Sequence, residues 1–88
     1  MKSKIKENRK GNYQKNFLKE PKVKAKEGKL VYVSLKHHEY IKRIAQIVGK
    51  NEVSIYGVIY NIIDEHLKQH HVEIQELHDE QISIVFNH

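Results

Sequence analysis

His66 and His70 stand one helical turn apart, with Asp64 and Glu73 nearby in sequence, and these are donor types that can share a metal ion. A catalytic metal helix places glutamate directly after the first histidine, as in His-Glu-x-x-His, whereas here Leu67 follows His66. The simpler reading of the pair is a half-exposed helix face whose imidazoles lend some pH sensitivity. Tyr32, Tyr40, Tyr56 and Tyr60 raise the thought of a tyrosine nucleophile, but Tyr56 and Tyr60 are also one helical turn apart and read as face residues. There is no glycine-rich phosphate loop, no nucleophile set in a motif and no framed pair of acids. The expectation is a protein that is not an enzyme and takes no metal or other cofactor.

Charge carries more information than any of these clusters. The chain has 88 residues, 16 Lys and Arg against 11 Asp and Glu, and a pI near 9.4. Residues 1–29 hold eleven of the bases and three acids, a net +8, while residues 30–88 hold five bases and eight acids, a net −3. Apolar residues in the first stretch are scattered, and Gly11 and Pro21 interrupt it, so little apolar surface is available to offset the entropy of ordering it. Residues 1–28 therefore read as a flexible, disordered basic arm. Such an arm is either a solubilising leader or a phosphate-tracking element, with Lys22, Lys24 and Lys26 as the arm residues expected to contact DNA.

From Lys29 the texture changes. Leu30-Val31-Tyr32-Val33-Ser34-Leu35 is rich in β-branched and aromatic residues and reads as a strand with Val31, Val33 and Leu35 on one face and Leu30, Tyr32 and Ser34 on the other. Ile41, Ile44, Ala45 and Val48 then follow helical spacing, predicting a helix over about 36–48 that Gly49 stops. Ser54 is a good N-cap for a second helix with a wide apolar stripe through Ile55, Val58, Ile59, Ile62, Ile63 and Leu67. That helix either runs on to about Glu80 or breaks near His70-His71, and the tail 81–88 is strand-like or a further helical piece.

A core of roughly 50 residues buries too little surface to be comfortably stable alone. With no cysteine available for a disulfide, a partner chain is the expected staple. A lone strand needs a partner for its edges, so pairing with the same strand of a second copy answers both needs and predicts a homodimer. No apolar stretch reaches membrane-spanning length and the charged N-terminus lacks a signal-peptide core, so a cytoplasmic protein with no membrane partner is expected.

The run KLVYVSLKHHEYIKRIAQIVGKNEVSIYGVIYNIIDEHL, with its strand, helix, short connection and helix, resembles the ribbon-helix-helix family of DNA-binding proteins. More narrowly, VYVSLKHHEYIKRI and EVSIYGVIYNIIDEHL look like an uncharacterised family encoded on bacterial conjugative transposons. The resemblance implies a mostly α, intertwined ribbon-helix-helix homodimer over residues 29–80 that binds double-stranded DNA. Its strand would read bases through Leu30, Tyr32 and Ser34, a more apolar set than the family commonly uses. A DNA phosphate would be held by Ser54 and the amide of Ile55 at the start of the second helix, with Lys29, Lys36 and Lys50 in support.

The function expected on that basis is a nucleoid-associated accessory protein of a mobile element, a transcriptional repressor or a relaxosome helper acting beside a relaxase. Two alternatives stand beside it. One is a plasmid-partition adaptor whose arm engages a ParA-like ATPase, with Arg9 as the activating finger. The other is an antitoxin, for which residues 72–88 would wrap a toxin.

Overall fold

The computed structural model describes residues 2–86, and the side chains of residues 8–85. Helix α1 spans Lys2–Phe17, a single 3₁₀ turn follows at Ala25–Glu27, and α2 spans Leu35–Arg43 and continues through a wider π-helical turn at Ile44–Val48. Helix α3 runs Ile55–Gln69 and α4 runs His71–Phe86.

No strand occurs among the described residues, which corrects the ribbon-helix-helix expectation. Residues 29–34 are irregular, and the amides of Leu30 to Ser34 donate no backbone hydrogen bond to a described residue. High β-propensity cannot make a strand without a neighbouring backbone to complete the ladder. Within the chain, α2 starts at the next residue and takes Ser34 as its N-cap, the hydroxyl accepting from His37 N at 3.2 Å.

The disordered arm is corrected as well. Lysine, glutamate and glutamine are good helix formers, and no proline occurs before Pro21, so residues 2–17 wind into α1 without an apolar face. Among its described side chains, those that are partly covered lie at the C-terminal end, at Asn16 and Phe17, so the helix shows no apolar periodicity. There Tyr13 and Phe17 rings lie 4.9 Å apart and Leu18 packs on the core.

The two predicted body helices are present. Ala45, Val53 and Val58 are buried at the α2–α3 junction, ringed by Leu18, Ile41, Ile44 and Ile55. Gly49 follows the last turn of α2 as expected, but for a different reason. Its φ of −85° suits any residue, whereas an added Cβ would lie 2.7 Å from Val53 Cγ1 and 2.8 Å from the Ala45 carbonyl. The left-handed positions belong to Lys50 and Asn51, with φ of 54° and 62°. Lysine is disfavoured there and asparagine tolerated. The chain then breaks at His70, whose φ of −112° separates α3 from α4, and the tail continues α4 as helix to Phe86.

Candidate nucleic-acid interface

Ser54 opens α3 as the sequence suggests, its hydroxyl accepting from Gly57 N at 2.9 Å. A helix start presents free amides and partial positive charge, which favour an anion. In this structure that anion is the chain's own. Glu20 Oε2 accepts from Ser54 N at 2.7 Å and Oε1 from the Ser54 hydroxyl at 2.7 Å.

Two further residues seat the segment that carries Glu20. Asn61, buried on α3, donates from its amide to the carbonyls of Phe17 at 2.9 Å and Lys19 at 2.7 Å. Gly57 supplies the room, because a Cβ there would lie 3.1 Å from both Glu20 Oε2 and Pro21 Cδ and 2.8 Å from Val53 Cγ2. Sequence reasoning missed Glu20, Gly57 and Asn61. A glycine and a buried amide inside the run Gly57-Val58-Ile59-Tyr60-Asn61-Ile62-Ile63 break an otherwise apolar pattern. Each such break marks a close approach or a polar contact.

The other candidate residues lie apart from this anchor. Lys22, Lys24, Lys26 and Lys29 are exposed along the irregular path between Pro21 and Leu30, Lys36 is exposed in the first turn of α2, and Lys50 is exposed on the α2–α3 connection. None of them joins an ion pair with a described residue; the described pairs are Lys68–Asp64, His70–Glu73 and His78–Asp79. Leu30 and Tyr32 are fully exposed, at 104% and 106%, while Val31 and Val33 turn further in, at 81% and 40%. Ser34 serves α2 as its cap. Ile55 is half-buried and its side chain belongs to the core margin. Arg9 is exposed on α1.

Between the 28–33 segment and α3 runs an apolar groove of about 770 Å³, with Leu30, Val31 and Val33 on one side and Ile59, Ile63 and Leu67 on the other. Lys29 and Asp64 sit at its margin. Asp64 pairs with Lys68 at 3.0 Å, and this hydrogen bond holds the Lys68 ammonium above the ordinary lysine range. Tyr32, His38, Tyr56 and Tyr60 add polar atoms to an otherwise apolar lining. His66 and His70 rings pack 4.8 Å apart, and among the described residues no group of three or more His, Cys, Asp or Glu is placed to hold a metal. Among the same residues no helix is long and apolar enough to cross a membrane.

Residues 1–81 match the family described as "Protein of unknown function (DUF3408)", and the chain belongs to that family. No curated protein and no solved structure matches the chain.

Proposed function

We propose that this protein binds double-stranded DNA through its basic N-terminal third, with affinity led by phosphate contacts. One observation supports the reading above others: eleven Lys and Arg fall within residues 1–29, and of those with described side chains none pairs with a described acid. An exposed, predominantly basic run that pairs with no described acid favours a polyanion, whose bound counterions are released on contact.

The lysines from Lys22 to Lys29 follow directly on the Phe17–Pro21 anchor, so binding there involves a segment already held against α3. Leu30 and Tyr32 are exposed beside them and can touch bases or sugars, the first only through apolar contact and the second also through its hydroxyl. The biological role assigned on this reading is a nucleoid-associated accessory protein, acting as a repressor at a promoter or as a helper at a transfer origin.

Fluorescence anisotropy of a labelled duplex tests the proposal. Binding that weakens steeply between about 50 and 200 mM salt is the expected result. An absence of binding at the lower salt, on random duplex and on the gene's own upstream DNA, would sink it.

A further inference from the structure

We infer that α1 is a base-reading helix, and that its Asn8, Arg9 and Asn12 side enters the major groove of duplex DNA. This rests on the DNA-binding reading above and adds a source of sequence preference to it. The helix carries six bases and one acid, a net +5, and every residue from Asn8 to Lys15 is exposed. It has no apolar face, which a helix lying on a lipid surface or seated in a protein groove needs. A polyanion makes no such demand. Arg9, Lys10 and Lys15 are set well apart around the helix, so positive charge faces both phosphate walls of a groove. The major groove is about 12 Å wide and admits an α-helix. With 16 residues, α1 is about 24 Å long.

The asparagines decide which chemistry the helix presents. Asn8, Asn12 and Asn16 recur every four residues and line one side of α1, with Arg9 at the edge of that side. Asn16 is half-buried near the body, which leaves Asn8, Arg9 and Asn12 exposed. Asparagine is a poor helix former, and the side chains of these three residues make no hydrogen bond or ion pair with a described residue. On the major-groove edge, an asparagine amide pairs with adenine N6 and N7, and a guanidinium with guanine O6 and N7. Gly11 agrees with a close approach. Glycine weakens a helix interior, yet an added Cβ would meet nothing within 4 Å, so no contact among the described residues requires its smallness. Nor is the helix on a loose tether. It ends at Phe17, whose carbonyl accepts from Asn61 at 2.9 Å, and Leu18 packs on the core. The reading side chains therefore sit on a regular element joined directly to the body, as precise recognition requires.

The test is selection of binding sites by the full chain from random duplex DNA, followed by anisotropy on the selected duplex and on a scrambled one. The wild type is expected to prefer the selected site. Asn12→Ala should relax that preference at one base pair by roughly tenfold, the scale of a bidentate contact, and Asn8→Ala at a different base pair. Alanine favours a helix and neither change removes charge, so circular dichroism and the salt slope on scrambled duplex should stay as in the wild type. Gln14→Ala, on the opposite side of α1, should alter none of these. Binding without any selectable preference, or a preference untouched by Asn8→Ala and Asn12→Ala, would overturn the inference and leave the proposed DNA binding standing. Tighter binding of an RNA duplex, whose major groove is too narrow for a helix, would overturn it as well. A wild type that binds no duplex removes the proposed function and this inference together.

Discussion

Two segments lie against α3, and they treat it in opposite ways. Residues 17–21 are fastened by two carbonyls on Asn61, a carboxylate on Ser54 and Leu18 on the core. Residues 28–34 arch over the same helix with their apolar side chains largely uncovered, and the amides of Leu30 to Ser34 are unpaired to described backbone. The first segment has its partners within the chain. The second carries the residues that most resemble a strand, and no described backbone completes a ladder with them.

The contrast also explains which features the sequence makes legible. The two body helices were legible because Ile41, Ile44 and Ala45, and then Ile55 and Val58, turn one side of each helix to the core, and burial leaves periodicity. Ser54 was legible because capping needs a hydroxyl at that position. Helix α1 was not, since its described side chains are covered at its C-terminal end alone and leave no apolar face along it. The strand was misread because propensity within Leu30–Leu35 records what a segment favours once a neighbour exists, not whether the chain supplies one. Glu20 on Ser54 escaped because the two residues are 34 positions apart, and a lone glutamate in a lysine-rich run gives no pattern. The lysine candidates were visible as charge, but that none of them pairs with a described acid is a property of the fold.

Substitutions can break the comparison, and Val58→Asp should have the largest effect. Val58 is fully buried, and an unpaired carboxylate there should abolish the helical circular dichroism signal and the cooperative unfolding transition. Asn61→Ala comes next. It leaves the Phe17 and Lys19 carbonyls without their donor, and chemical denaturation should show a loss of roughly 1–3 kcal/mol.

Glu20→Gln should cost less, about 1 kcal/mol, since the amide oxygen still accepts at the helix start while the charge is lost. The two changes act on one segment, so combining them should cost less than their sum. Strict additivity would mean that Asn61 and Glu20 do not hold residues 17–21 as a unit. Tyr32→Ala marks the small end. A fully exposed side chain on the unfastened segment should change stability by no more than about 0.5 kcal/mol. A larger loss in denaturation would show that residues 28–34 are fastened after all.

The proposal of DNA binding rests on the lysines that join the two segments, and one measurement addresses them directly. Replacing Lys22, Lys24, Lys26 and Lys29 together with glutamine leaves every core contact in place. The slope of log affinity against log salt, measured for the wild type and this variant on the same duplex, counts the phosphates these side chains neutralise. If all four engage DNA, the slope should become shallower by about 3 to 4, near 0.9 for each lost contact. An unchanged slope with folded protein would contradict the account, because the unpaired lysines would then have no part in binding.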